Sequence, residues 1–502
     1  MINEPPPVNC LQPVVIERRD HPISRRLIDP DALKVLYRLS NHGYKGYLVG
    51  GSVRDMLLGK EPKDFDVATD ASPSEIRALF RNCRVIGRRF RLAHIYFHGG
   101  NIIEVSTFRK STNMDDKDGD NGDNGNGFDP ENGDEESGDV QNGFDPENGD
   151  KSNGSHCDNG DEESGDNGKS RKKKERPPTE NDFGTETQDA LRRDITINAL
   201  FYNIANFSII DYVGGIEDLR KGLVRSVGCP HRSFTEDPVR IMRVLRHSAR
   251  TDFPIESETY SAISEHLPKL SKCPEARVRE EFLRDLRGGW ARKCIKLMIE
   301  TGLLYYLFPE YENVLRGPGA HVFAHFLATN LKGIDSINNG GGSISDTMLM
   351  TVFFAPFVRH AHIMDRAPTG KGRAGFIHEQ VKDLIKPLIR GFGFSKGRAE
   401  HVCQSIFGML LVEEAARFGG KVPRSLFTKK YFNDGYKLYR IECIGRDEAI
   451  PNAIRRAAEG LIDRKNPSGK PRGDNGEEEK KSRAPRRRYR RRKGNDHSPP
   501  KE

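Results

Sequence analysis

The sequence predicts an α/β head followed by an all-α neck and body. Three observations predict it. Between residues 31 and 111, short β-rich runs alternate with amphipathic helical segments. From residue 229 onward the apolar spacing is helical almost throughout. Between these regions, residues 112–182 are Asp, Gly, Asn and Glu with almost no aliphatic side chains. Mixed strands and helices indicate a layered α/β unit, and continuous helical periodicity indicates a helical bundle. The low-complexity stretch cannot bury enough apolar surface to offset its ordering entropy, so a long disordered acidic insertion is expected there.

The elements follow in order. Residues 1–30 read as a mostly extended, proline-containing lead-in. Asp31 to Leu39 carries apolar residues at helical spacing. Gly46-Tyr47-Leu48-Val49 is a strand leading into Gly50-Gly51. Ser72-Pro73-Ser74-Glu75 starts a helix, with a capping residue, proline in the first turn and then an acid. Arg84–Ile86, Ala93–Phe97 and Ile102–Val105 are further strands. Residues 31–111 thus form the first part of the head and 183–228 the second. The neck is assigned to 229–290 and the body to 291–447. Predicted helices there are Asp237–Arg250, Glu275–Leu286, Ala291–Leu304, Ala320–Leu331, Ser345–Phe357, Glu379–Ile389, Lys396–Glu413 and Tyr431–Ile444. Residues 448–502 form a charged basic tail without a core.

The insertion repeats itself: Asn126–Asp134 recurs at Asn142–Asp150, and Asn132–Asp139 at Asn159–Asp166. It ends in a basic run, Lys169 to Arg176. Calcium loops need a fixed ligand order between helical flanks, which are missing here, so a solvated linker is the preferred reading.

The chain has 502 residues, 35% of them hydrophobic, and a formal net charge of +8. Its mean hydropathy is −0.69. These values fit a chain of which a sizeable share does not pack. Eight cysteines without a Cys-x-x-Cys argue against a disulfide framework or a zinc site and suit a reducing compartment. The N-terminus has no basic-then-apolar leader pattern. The apolar run Met348–Val358 is too short to span a bilayer and reads as a buried helix. A soluble, cytoplasmic protein without a membrane span is expected.

The densest chemistry lies after the glycine pair. In an extended strand, residues two apart share a face. Asp64 and Asp66 therefore project together, with Phe65 turned into the core. Two such carboxylates repel unless a cation lies between them. Hard oxygen ligands suit Mg²⁺, which binds through one or two carboxylates plus substrate phosphates. Gly50 and Gly51 let backbone N–H groups approach a phosphate, and Ser52 can cap the next helix. Taken singly, a Gly-Gly is a turn and an Asp-x-Asp is a solvated strand face. In this order and this close together they describe a metal-triphosphate site. Glu104, within a β-branched run, is either a third carboxylate or the exposed face of an edge strand.

Further along, Arg192-Arg193-Asp194 precedes a helix-like apolar stretch through Asn198. Its arginines can grip phosphates or ribose oxygens, or form surface ion pairs. Asp211 to Gly215 reads as a turn or hinge. Glu236-Asp237-Pro238-Val239-Arg240 opens a helix with acids at its N-terminus. Asp237 and Arg240, three apart, share a face that could read the edge of a base, and Arg243 and Arg246 continue it.

In this order, these segments resemble the nucleotidyltransferase family that includes tRNA CCA-adding enzymes and bacterial poly(A) polymerases. The motifs are Leu48 to Asp55, Asp64-Phe65-Asp66, Glu104 to Arg109, Arg192 to Leu200, Asp211 to Gly215 and Glu236 to Arg240. They cover roughly residues 20–110 and 183–310. The resemblance implies a mixed-sheet nucleotidyltransferase head, two Mg²⁺ on Asp64 and Asp66, and Glu104 as the third catalytic carboxylate. It implies ATP binding by Gly50, Gly51, Ser52, Arg54, Arg109, Arg192, Arg193, Asp194, Asn198, Asp237, Arg240, Arg243 and Arg246. Within that set the Arg-Arg-Asp segment meets the ribose and Asp237 with Arg240 the base.

Val85 to His94, with Arg88-Arg89-Phe90, is similar to the poly(A) polymerase branch. So are His21 to Arg26 and the Arg-rich end of the chain. The preferred expectation is transfer of AMP from ATP to RNA 3′ ends, feeding RNA decay and mRNA processing. CCA addition to tRNA is the alternative, and a non-catalytic RNA-binding scaffold the third reading. RNA is the partner, with the RNA-decay machinery a further one. Arg486, Arg487, Arg488, Tyr489, Arg490, Arg491 and Arg492 suit binding by charge and stacking, or serve as a solubilising end. The insertion departs from the family, whose members have a short loop at that place.

Overall fold

The structure, a computed structural model, describes residues 12–87, 91–110, 183–390, 392–417, 430–452 and 454–456. The insertion expected at 112–182, the Arg88-Arg89-Phe90 triplet and the tail with Arg486 to Arg492 lie outside the described residues.

The head is built on one mixed sheet. Its strands are β1 (Val14–Ile16), β2 (Gly46–Val49), β3 (Asp66–Thr69), β4 (Cys83–Ile86), β5 (Leu92–Tyr96), β6 (Ile102–Thr107), β7 (Leu200–Asn203) and β8 (Ile209–Asp211). They lie in the order β1-β8-β7-β2-β3-β6-β5-β4. β3 and β6 run parallel, with Asp66 opposite Glu104. The other pairings are antiparallel. A parallel pair needs a crossover. The Pro73–Leu79 helix and the β4–β5 hairpin supply it. That helix starts with the predicted capping box, Ser72 Oγ accepting from the Glu75 N–H while the Glu75 carboxylate accepts from the Ser72 N–H.

β2 is buried at all four positions, as a central strand must be. The Pro30–Asn41 helix, capped by the Asp29 carboxylate, lays Ala32, Val35, Leu36 and Leu39 onto the sheet. That i, i+3, i+4, i+7 spacing is the expected apolar stripe. Phe65 packs against the same core. The lead-in adds edge strand β1, whose Val14 and Val15 remain exposed.

Beyond Pro230, the described residues are helical. The predicted body helices are present, most of them longer: Ala320–Asn339, Asp346–His360, Arg373–Arg390, Lys396–Arg417 and Lys430–Gly445. The expected Ala291–Leu304 helix is broken at Gly302, which takes a left-handed φ of 81° between Ala291–Glu300 and Leu303–Leu307. Met348 to Val358 is buried along its length inside one helix, around Pro356. Among the described residues no helix is long and apolar enough to cross a membrane.

Four local expectations are corrected. Asp64 precedes β3 rather than lying within it, because the strand begins at Asp66. Gly50, with φ 74°, occupies the cap position of the Gly51–Leu57 helix, and Ser52 Oγ donates instead to the Val49 carbonyl. The stretch after Arg193 is a 3-10 turn, Thr196–Asn198, running into β7, because Leu200 to Tyr202 fill the sheet core. Glu236 ends one helix (Pro230–Glu236) instead of opening the next, which starts at Arg240 after Pro238 removes a backbone donor.

The segment from Ile195 to Tyr202 joins head to neck. Ile195 and Ile197 lie in the neck and body core, whereas Leu200 and Tyr202 lie in the head core.

Candidate active site

A cleft of about 480 Å³ opens where the end of β2, the start of β3, β6 and the neck helix Arg240–Thr251 meet. Asp64, Asp66 and Glu104 line it together with Arg192, Arg193, Arg240 and Arg243. Gly50, Gly51 and Ser52 line it at the first turn of a helix, where backbone N–H groups have no intrahelical partner. A Cβ on Gly50 would stand 3.4 Å from Asp66 Oδ2 and 3.8 Å from Arg193 Nη1. The glycine backbone thus sits between acid and base at close range.

Asp66 keeps solvent-reachable surface at the cleft, yet protein crowds around it. That crowding and the Glu104 carboxylate push the Asp66 carboxyl up to about 6, against the pull of Arg193. Negative charge is in excess among Asp64, Asp66 and Glu104. His94 Nε2 stands 3.6 Å from Glu104 Oε1. An all-oxygen donor set with surplus negative charge fits a hard divalent cation.

The arginines of the cleft are held in place. Buried Asp189 accepts from Arg192 through Oδ1 and from Arg193 through Oδ2. Burial alone would raise its pKa, but the Arg193 and Arg192 charges hold it below the usual carboxylate range. Asp194 likewise anchors Arg243 Nε at 2.8 Å. Burial opposes the Asp194 charge, and the Arg243 guanidinium outweighs it, so the carboxyl is held low. The Asp194 charge in turn raises the Arg243 pKa. Asn198 receives Arg54 Nη1 at 2.6 Å and faces His247 Nε2 at 3.0 Å. Burial depresses His247 well below the ordinary histidine value.

Asp237 and Arg240 both line the cleft but do not pair with each other. Asp237 meets Arg277 Nη2 at 2.7 Å, and Arg240 donates to Ser233 Oγ and to the Arg192 carbonyl. The Asp211 carboxylate accepts from the N–H groups of Val213, Gly214, Gly215 and Ile216 at 2.9–3.0 Å, so the expected hinge is a pinned helix start.

Three expected residues do not line the cleft. Arg54 is fully buried and spends its guanidinium on Asp55, Asn198 and His247. Arg109 donates to the Arg91 carbonyl beside the Phe183 bridge. Arg246 turns into the neck against Glu281 and Asp285. Conversely, Asp55, Lys63, His247 and Arg250 line the cleft without having been singled out. Arg243, His247 and Arg250 follow one helical face, which Arg246 leaves, and that periodicity was the available signal.

A mixed sheet with Asp66 and Glu104 in register, and a cleft lined by these acids and by arginines, define a nucleotidyltransferase head. Residues 46–126 and 158–225 match the Poly A polymerase head domain. Residues 252–315 match the domain described as a probable RNA and SrmB-binding site of polymerase A. The chain is 36% identical to poly(A) polymerase I of Escherichia coli O6:H1 over 345 residues, 68% of this chain and 63% of that protein. It therefore spans less than two thirds of the length of that relative. It is 30% identical to a CCA-adding enzyme of Bacillus pumilus over 302 residues, 60% of each chain. The fold is also that of the Bacillus stearothermophilus CCA-adding enzyme solved with CTP, at TM-score 0.50 and 20% identity, covering 88% of this chain and 83% of that one. The chain thus carries a Poly A polymerase head domain followed by a segment that matches the RNA-binding domain of such polymerases.

Proposed function

We propose that this chain is a template-independent RNA polymerase that transfers AMP from ATP to RNA 3′ ends and releases pyrophosphate. The observation that carries the reading is that Asp64, Asp66 and Glu104 line one cleft with Arg192, Arg193, Arg240 and Arg243. Greater identity to a poly(A) polymerase than to a CCA-adding enzyme supports the adenylating branch.

In this reading Asp64, Asp66 and Glu104 hold Mg²⁺. When bound, the metal neutralises phosphate charge and acidifies the attacking 3′-hydroxyl. Arg192, Arg193 and Arg243 take up the triphosphate and ribose, oriented by Asp189 and Asp194. Gly50 to Ser52 let the chain approach a phosphate closely. Asp237 and Arg240 face the base. Arg54, Arg109 and Arg246 act by positioning the elements around the cleft, without touching nucleotide. The Arg486 to Arg492 segment with Tyr489 binds the RNA strand. Six free cysteines among the described residues favour a reducing compartment, the cytoplasm. There the tails would feed RNA decay and mRNA processing, with the decay machinery as partner.

The test is incubation with a tRNA lacking its 3′ end, adding ATP or CTP separately. Long A tails from ATP alone, on this and on unrelated RNA, are expected. Incorporation of CTP would move the protein to the CCA-adding branch, and no incorporation of either would leave an RNA-binding scaffold.

A further inference from the structure

Away from the cleft, the neck brings His231, Glu265 and His266 together, with one ligand atom of each lying within 4.8 Å of the others. We propose that these side chains form a binding site for a transition-metal dication of the zinc type, distinct from the carboxylates of the cleft. It rests on neither the polymerase reading nor any residue of that site.

His266 carries the argument. Its ring is buried, and its Nδ1 has no hydrogen-bond partner. Its Nε2 lies 2.9 Å from the His231 carbonyl, which can only accept. The ring proton therefore sits on Nε2, and Nδ1 turns an unused lone pair toward the cluster. A metal-binding histidine has this form: one nitrogen ligates while the other donates to a carbonyl that fixes the ring. Phe234 meets the His266 ring edge-on with centroids 6.3 Å apart and limits its rotation.

The other two groups stand at ligand spacing. His231 Nδ1 is 3.3 Å from Glu265 Oε2, and His266 Nδ1 is 3.9 Å from Glu265 Oε1. Ligands about 2.0–2.1 Å from a tetrahedral zinc are about 3.3 Å apart. A small swing of the exposed Glu265 side chain closes the longer gap. Glu265 also lies next to the end of the Ser257–His266 helix, where an anion gains from a neighbouring cation. A simple His231–Glu265 ion pair would explain two of the three groups but leave the buried His266 Nδ1 without a hydrogen bond, since Glu265 Oε1 at 3.9 Å is too far to make one. Two imidazoles and one carboxylate suit zinc, whereas Mg²⁺ favours oxygen donors.

The ligands come from two helices, Pro230–Glu236 and Ser257–His266. A bound ion ties one to the other. The first of them ends beside Asp237, which lines the cleft.

The full chain, stripped with a chelator, is titrated with Zn²⁺ by equilibrium dialysis, and with Co²⁺ by visible absorption, which reports nitrogen and oxygen ligands. One zinc per chain and a zinc-dependent rise in melting temperature are expected. His231→Gln and Glu265→Gln change a half-buried and an exposed side chain and should keep the fold, yet weaken zinc binding by at least about tenfold. His266→Gln should do the same. Asp66→Asn, which alters the cleft, should leave the zinc affinity as it is. Zinc bound as tightly by His231→Gln and Glu265→Gln as by the parent chain would overturn the assignment, as would loss of the zinc in Asp66→Asn.

Discussion

Asp66 and Glu104 stand directly opposite each other on parallel strands, two carboxylates held side by side by sheet register. Burial, reinforced by the Glu104 charge, pushes the Asp66 carboxyl up to about 6. Negative charge gathers at this register, and the proposed metal would offset it. Asp66→Asn or Glu104→Gln should cut AMP incorporation at least about a thousandfold. The melting temperature should hold or rise slightly, because like-charge repulsion is relieved. Radiolabelled ATP incorporation and thermal unfolding measure the two effects, and an Asp66→Asn enzyme that still extends RNA would remove the metal assignment.

Arg54 has a different fate from the one its motif suggests. Its side chain is fully buried, bonded to Asp55, Asn198 and His247. Asp55 is held a second time by Arg250 at 2.6 Å. Arg54→Ala leaves Asp55 Oδ1 and the Asn198 amide oxygen without their buried partner, Arg250 still holding Asp55 Oδ2, so a stability loss of about 3 kcal/mol is expected. Urea unfolding reads it. Normal stability with a raised KM for ATP would return Arg54 to direct nucleotide contact.

Asp189 is one buried acid serving two arginines. Asp189→Asn keeps the shape but removes the charge that orients both Arg192 and Arg193. The KM for ATP should rise about tenfold, a loss of about 1.4 kcal/mol. Changing either arginine alone should cost less than changing both, and an unaltered KM in Asp189→Asn would show that the pair is held some other way.

The order of motifs, the head strands and the body helices were legible because period-2 and period-3.6 patterns are local. Ser72, Pro73 and Glu75 are a complete helix start by themselves. The cleft was legible to the extent that its residues neighbour one another in sequence, as at Asp64 and Asp66. What could not be read was rotation and partner choice. Arg246 is one turn along from Arg243 but points to Glu281 and Asp285, and nothing within the 240–250 segment reports that. Asp189 escaped notice because an isolated acid carries no pattern until its two arginines fold over it. The His231, Glu265 and His266 group is joined only by packing of two helices.

Removal of residues 480–502 takes away the six arginines at 486–488 and 490–492. Each phosphate contact to single-stranded RNA contributes about 0.7 to the slope of log K against log salt, so the slope should fall by up to about 4. Filter binding across a salt series measures it. An unchanged slope would assign RNA binding to the folded neck alone.

Asp285 gives the chain a stability that depends on pH in a defined direction. It is fully buried, with Oδ1 2.5 Å from Arg246 Nε, and Glu281 competes for the same guanidinium. Burial, reinforced by Glu281, raises its carboxyl to about 7 against the pull of Arg246. An unfolded aspartate titrates near 3.9. Between about pH 4 and 7 the folded chain therefore binds more protons than the unfolded one, so stability falls as pH rises through that window, by up to about 1.4 kcal/mol per unit. Asp66, also raised, adds a slope of the same sign, so the informative quantity is the difference between the parent chain and Asp285→Asn. That variant has no carboxyl to ionise. Its urea midpoint should fall less than the parent's on going from about pH 5 to about pH 8. Parallel lines for the two proteins would mean that Arg246 keeps Asp285 ionised throughout.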